Sequence, residues 1–303
     1  VVRSYRPDQN QEAQTRIYGL PLSVDTLTLY YNKDLLNAAG IATPPITWTE
    51  FQQDVIDLTK ISGTNTILQS GAAIGTSDNV ERASDILSLL MMQNGTQMID
   101  ARGFAAFAAE GRDKVSLGAD ATRFYTDFAN PLKQVYTWNE EQPASFDAFA
   151  SGKTAFFFGY SYHAALLKSR SPKLNFAITS VPQIDGGKVV NLANYWVETV
   201  AKSSDAKDFA WDFIEFAASA EQVPSYLKAT GKPTARRALI NSQMENENLS
   251  AFVSQLLTAK SWYKGNRASV VEEAFNTLID ATLTGEDVDE ALSSAQNKIN
   301  QTY

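Results

Sequence analysis

The chain has 303 residues, 44% hydrophobic and 11% aromatic, which supports a real core and excludes a globally disordered polypeptide. A formal net charge of -8 argues against a protein that holds nucleic-acid phosphates, or an anionic membrane surface, through clustered Lys and Arg. With no cysteine and a single histidine, disulfide scaffolds, thiolate zinc sites and cysteine nucleophiles drop out.

Residues 1–16 are polar and weakly patterned. From Thr26 to Tyr31, Leu27, Leu29 and Tyr31 alternate with Thr26, Thr28 and Tyr30, the period of a strand with one buried face. Asn32 and Asp34 end it. Leu35 to Ala39 reads as a short helix closed by Gly40. After the break at Pro44-Pro45, Thr47-Trp48-Thr49-Glu50 is a capping box. The helix it opens runs to about Lys60, with Trp48, Phe51, Val55, Ile56 and Leu58 largely on one side.

A short strand follows over Thr66 to Ile74, then a turn at residues 75–79. The next helix carries Ile86, Leu87, Leu89, Leu90 and Met91 and ends at Asn94-Gly95. A further helix is expected from about Asp120 to Tyr136 and a short one from Ala144 to Ser151. The unbroken apolar run Thr154 to Phe158 predicts a strand buried on both faces. The wider apolar stretch to Leu167 is interrupted by Gly159 and His163 and falls short of the about 20 residues that span a membrane.

Strands are expected at Leu174 to Val181 and Asn194 to Ala201, separated by a tight turn at Asp185-Gly186-Gly187. Ser203-Ser204-Asp205 then caps a helix to Ala218, in which Phe209, Phe213 and Phe216, with Ala210 and Ala217, form a core-facing stripe. Pro224 to Thr230 forms another helix. The last segment is helical, and the acidic run Glu286 to Glu290 suits a helix N-terminus better than a calcium loop. Strands alternating with helices predict an α/β protein with largely parallel sheets.

Gly159-Tyr160-Ser161-Tyr162-His163 begins like a nucleophile elbow but ends in His. A triad would need His163 to serve Ser161 from two residues away, whereas a base approaches its hydroxyl from across a site. A carboxylate-pair glycosidase stays open, because its defining quantity is a separation in space.

Four blocks, in order, resemble the family 1 extracellular solute-binding proteins, the sugar-capturing components of bacterial ABC importers. The first is Tyr18 to Lys60. The second is Phe149-Ala150-Ser151-Gly152-Lys153-Thr154-Ala155-Phe156, similar to the family's F-x-x-G-K-x-A-M with Phe156 replacing Met. The third runs from Tyr195 through Ala210-Trp211-Asp212-Phe213-Ile214-Glu215-Phe216 to Gly231-Lys232-Pro233-Thr234-Ala235-Arg236. The fourth is Leu283-Thr284-Gly285 through Ala291-Leu292 to Ile299. Two departures stand out. Only residues 1–16 precede the first block, where the family carries a further half-lobe of about 100 residues, so the chain is expected to lack the start of its first lobe. Ala193-Asn194-Tyr195-Trp196 stands where many members have a Gly-Gly pair.

The resemblance implies an α/β, two-lobed periplasmic-binding-protein-like fold of type II. Residues 1–25 plus 197–240 would belong to the first lobe and 26–196 plus 241–303 to the second. Val24 to Tyr31 and Tyr195 to Ala201 would be the hinge crossings. It further implies an extracytoplasmic protein, periplasmic or lipid-anchored to the outer face of the cell membrane. Such a protein captures a saccharide by lobe closure and delivers it to ABC permease subunits, as a monomer with no enzymatic activity and no cofactor, metal or nucleic acid. A glycan-processing hydrolase and a sensory domain that signals to a receptor are the alternatives.

Sugar recognition needs flat rings against C–H faces and polar groups for hydroxyls. The resemblance puts Asp25 at the first crossing, Tyr160 and Tyr162 after the G-K-x-A strand, and Trp196 at the return crossing. It also points to Arg236 after the proline and Trp262 before the C-terminal helices. Thr76, Asp78 and Asn79 are looser candidates. Trp48 and Trp211 read as packing residues.

Overall fold

The computed structural model describes residues 2–5, 14–64, 66–109, 116–262, 264 and 267–302. An antiparallel ribbon, β1 (Val2–Tyr5) with β2 (Gln14–Ile17), leads to β3 (Asp25–Thr26) and β4 (Thr28–Asn32). Next come α1 (Lys33–Ala38), α2 (Trp48–Leu58), β5 (Lys60–Ile61), β6 (Ile67–Ala72), α3 (Ala83–Gln93), α4 (Leu117–Asp127) and α5 (Ser145–Ala150). They are followed by β7 (Thr154–Gly159), α6 (Ser161–Arg170), β8 (Phe176–Ser180), β9 (Asn191–Asn194), α7 (Lys207–Ala217) and α8 (Val223–Thr230). After a 3-10 turn at Arg237–Leu239 the chain forms α9 (Ile240–Met244), α10 (Ser250–Ser254), β10 (Ala259–Lys260), α11 (Ala268–Leu283) and α12 (Val288–Asn300).

The main sheet has the order β5-β6-β7-β4-β8. β6 and β7 are parallel, but β4 runs antiparallel to both β7 and β8. The sheet is therefore mixed rather than largely parallel. β7 and β8 are parallel to each other and joined through α6, and β4, arriving from the other direction, is inserted between them.

That central position also changes what the alternation in β4 means. Leu27, Leu29 and Tyr30 are all fully buried. Leu27 and Leu29 join the large core with Trp48, Phe51, Phe156 and Phe158. Tyr30 joins a second core with Phe149, Phe157, Leu167 and Phe252. The two-residue period divides one core from another, not core from solvent. β7 is buried along its whole length, as its apolar run requires.

The capping box of α2 forms: Glu50 N–H donates to Thr47 Oγ1 at 3.1 Å and Thr47 N–H to Glu50 Oε2 at 3.3 Å. Trp48, Phe51, Val55 and Leu58 are its buried face. α4 stops at Asp127, well before Tyr136, because Asn130 precedes Pro131 and such a residue is pushed out of the helical region.

A smaller sheet, β10-β9-β3, stands beside the first. Here the strand expected over Asn194 to Ala201 lies earlier, at Asn191–Asn194. Its antiparallel partner β3 supplies only Asp25 and Thr26, so regular pairing ends there. Beyond it, Glu198 exchanges two backbone hydrogen bonds of 3.1 Å with Leu20. Val24 N–H donates to the Pro233 carbonyl at 3.2 Å, which ties residues 20–24 to the stretch after α8.

α7 forms, but its aromatic stripe does not face a core. Phe209, Phe213 and Phe216 are exposed, and Ile214 is the buried residue of the helix. α11 and α12 do pack, through Val271, Ala274, Phe275, Leu278, Leu292 and Ile299, onto the main core. Asp287 caps α12, accepting from Asp289 and Glu290 N–H at 3.0 and 3.1 Å.

Candidate functional site

Two sheets meet where β3 runs into β4, and the start of α6 lies against that junction. Asp25 is there. Its Oδ2 accepts from Ser161 Oγ at 2.6 Å and Ser161 N–H at 3.0 Å, while Oδ1 accepts from Thr26 N–H at 2.9 Å. Burial pushes the Asp25 carboxyl up to about 6, against the opposing pull of the Ser161 bonds, the Thr26 bond and nearby His163.

Gly159 lets the strand turn into α6 here. A Cβ at this position would come within 2.7 Å of the Phe157 ring and 2.9 Å of His163 Nδ1. Tyr160 and Tyr162 flank Ser161 and take different environments. Tyr160 is buried, and its hydroxyl donates to Asp85 Oδ2 at 2.8 Å. Burial first, then the Asp85 charge, push its phenol far up, so it stays protonated and donates. Tyr162 is 48% exposed, with its ring stacked 6.4 Å from Tyr160.

Asp85 gathers three donors: the Tyr160 hydroxyl, the Arg82 guanidinium and Lys264 Nζ at 3.1 Å. Burial alone would raise this carboxyl; Lys264 and Arg82, with the Arg82 and Tyr160 hydrogen bonds, outweigh it and hold it below the ordinary value. The Arg82 guanidinium lies 5.4 Å over the Tyr160 ring. Half-exposed Tyr162 thus stacks on a buried ring, Tyr160, which shares Asp85 with the partly exposed cations Arg82 and Lys264. Arg82, Asp85 and Lys264 were absent from the candidates read from the sequence. The available signal was Asp85 itself, an acid immediately before the mostly apolar stretch Ile86 to Met92.

Serine and histidine do not form a catalytic pair here. Ser161 Oγ is committed to Asp25. His163 Nδ1 accepts from Tyr160 N–H at 2.9 Å, and Nε2 faces Glu81 Oε2 at 3.0 Å. Both ring nitrogens therefore have partners other than the hydroxyl.

The other candidates fall elsewhere. Thr76 Oγ1 donates to Asn79 Oδ1 at 2.5 Å, which also accepts from Trp138 Nε1 at 2.9 Å. Asn79 Nδ2 donates to the carbonyls of Asn139 and Gln142. This network pins one loop to another and uses both ends of the Asn79 amide. Asp78 is exposed. Trp262 is 8% exposed, packs on Phe107 and Phe275 and donates to Ser88 Oγ at 3.3 Å. Trp196 is 85% exposed. Arg236 donates to the Ala218 carbonyl and lines a surface cavity of about 340 Å³ with Leu20, Pro21 and Glu215. The structure thus brings Asp25, Tyr160 and Tyr162 together. Among the described residues no cluster of three or more His, Cys, Asp or Glu could hold a metal ion, and no helix is long and apolar enough to cross a membrane.

This fold is that of the two-lobed solute-binding proteins. An ABC transporter solute-binding protein from Thermotoga lettingae, solved with α-D-tagatose, matches with a TM-score of 0.69 at 21% identity, over 94% of this chain and 72% of that one. The cyclic α-maltosyl-1,6-maltose binding protein from Arthrobacter globiformis matches with a TM-score of 0.73 at 23% identity, over the same shares. Proteins of Brucella abortus and Brucella suis named as binding proteins are 21% identical over 251 residues, 81% of this chain. The chain spans 57% of the length of those curated relatives. The model of the family described as bacterial extracellular solute-binding protein matches residues 2–224, and the chain belongs to that family.

Proposed function

We propose that the protein captures a saccharide outside the cytoplasm and hands it to the membrane subunits of an ABC importer, without chemical conversion. The observation that carries this reading is the half-exposed ring of Tyr162, stacked on Tyr160, whose ring lies under the Arg82 guanidinium and whose hydroxyl meets Arg82 and Lys264 at Asp85. A flat apolar face for sugar C–H groups next to fixed donors for hydroxyls is the composition that carbohydrate binding requires. The similar proteins whose names specify ligands, tagatose for one and cyclic maltosyl-maltose for another, support the same class of solute.

In this reading residues 1–25 and 197–240 contribute to one lobe and residues 26–196 and 241–303 to the other. The strands around Asp25 and Asn194 act as the hinge, and closure brings exposed Trp196 toward the ligand. Tyr162 and Trp196 are the proposed stacking surfaces. Asp25, whose oxygens already accept from Ser161 and Thr26, supports the site from within.

The test is a thermal-shift screen of saccharides, amino acids and short peptides, with chromatography of every saccharide after incubation. A rise in melting temperature with one or more saccharides and no new products is expected. Cleavage of a glycan would favour a hydrolase, and a shift by amino acids or peptides alone would remove the carbohydrate assignment.

A further inference from the structure

Asp25 lies on the crossing segment, at the last residue before the buried stretch Thr26 to Tyr30. Ser161, which it grips, is the first residue of a helix remote in sequence. The 2.6 Å contact from Ser161 Oγ falls in the range of a hydroxyl donating to a charged oxygen. The same oxygen accepts the Ser161 N–H, one of the unpaired amides at the helix start, where a negative charge is favourable. Tyr162 is the next residue in that first turn.

We infer that Asp25 is a positioning residue: its carboxylate latches the first turn of α6, and with it Tyr162, to the crossing strand β3, and the latch loosens when the carboxylate gains a proton. The inference rests on the reading of Tyr162 as a ligand-facing ring.

The groups that face Asp25 are few and defined. From α6 and its approach come His163, Tyr160 and Tyr162; from β4 comes Tyr30. Behind them, Glu81 holds His163, and Arg82, Asp85 and Lys264 form the cluster on Tyr160. Both phenols, Tyr30 and Tyr160, are pushed far up and stay neutral. Desolvation carries the Asp25 carboxyl up to about 6, so its proton arrives under mildly acidic conditions. Hydrogen bonds to a carboxylate are roughly twice as strong as those to a neutral acceptor, so protonation weakens the Ser161 attachment without unfolding the chain.

Amide hydrogen exchange of the full chain at pH 5 and pH 7.5, corrected for intrinsic rates, tests this at residues 160–164. Protection in the wild type is expected to fall about fivefold at the lower pH, and Asp25→Asn to show the lower protection at both. Ser161→Ala keeps the charge and removes the hydroxyl bond, so the Asp25 carboxyl followed by ¹³C NMR should titrate higher than in wild type. Protection independent of pH in the wild type, or an unshifted Asp25 titration in Ser161→Ala, would overturn the latch. Titration with maltotriose, mannobiose and tagatose separates the two readings. pH-linked protection without binding of any of them counts against the ligand class alone; binding with pH-independent protection counts against the latch alone.

Discussion

The Tyr160 hydroxyl donates to Asp85 Oδ2 at 2.8 Å, while Lys264 holds the other oxygen of the same carboxylate at 3.1 Å. One buried acid thus joins the start of α3, the approach to α6 and the segment before α11. Asp85→Ala would leave a phenol and two cations without their acceptor. Because Arg82 and Lys264 keep some solvent contact, a loss of about 3 kcal/mol in urea unfolding is expected, at the low end for breaking a buried pair. Asp85 has a folded-state value below its ordinary one. Its contribution is therefore present above the unfolded carboxyl value and lost as pH falls through the folded one.

Asp25 behaves in the opposite sense. Burial pushes its carboxyl up to about 6 in the folded protein, above the ordinary carboxylate value. The favourable contribution is complete below the unfolded value and is lost as pH rises through about 6. Urea unfolding of wild type between pH 4 and 7 should therefore show a decline that Asp25→Asn lacks. Parallel curves for the two proteins would remove Asp25 as its source.

Two tryptophans should separate stability from binding. Trp262→Ala empties a site between Phe107 and Phe275 and is expected to cost about 3–5 kcal/mol of folding stability. Trp196→Ala, at an exposed position, should change stability by no more than about 0.5 kcal/mol. It should weaken saccharide binding by up to about tenfold in calorimetry, the scale of a lost ring contact.

The aromatic stripe of α7 carries a different expectation. Phe213 is 69% exposed, so Phe213→Ser should leave the unfolding midpoint nearly unchanged, within about 0.5 kcal/mol. It should lower the binding of an apolar fluorescent dye, because contiguous exposed apolar surface is what such dyes report.

How much of this was legible in the sequence depended on the range of the interaction. The capping box of Thr47 and Glu50 is local and appears as read. The continuous apolar run of β7 announced a strand covered on both sides. The alternation in β4 was visible, but its two faces could not be assigned: Tyr30 contacts residues as distant in sequence as Phe252. The α7 stripe shows the converse, since periodicity specifies an amphipathic helix and not what covers it. At the candidate site, the family resemblance pointed to Tyr162 and Asp25. The grip of Asp25 on Ser161 and the gathering of Arg82, Lys264 and Tyr160 on Asp85 join positions far apart in the chain, and no local pattern encodes them.

The most direct measurement of carbohydrate capture is calorimetric titration of maltotriose, mannobiose and tagatose into wild type and Tyr162→Ala. Saturable one-to-one binding of at least one saccharide by the wild type is expected, weakened about tenfold by the substitution, equivalent to about 1.4 kcal/mol. Equal affinity in the two proteins, or no saturable heat with any saccharide where an amino acid or peptide does bind, would contradict it.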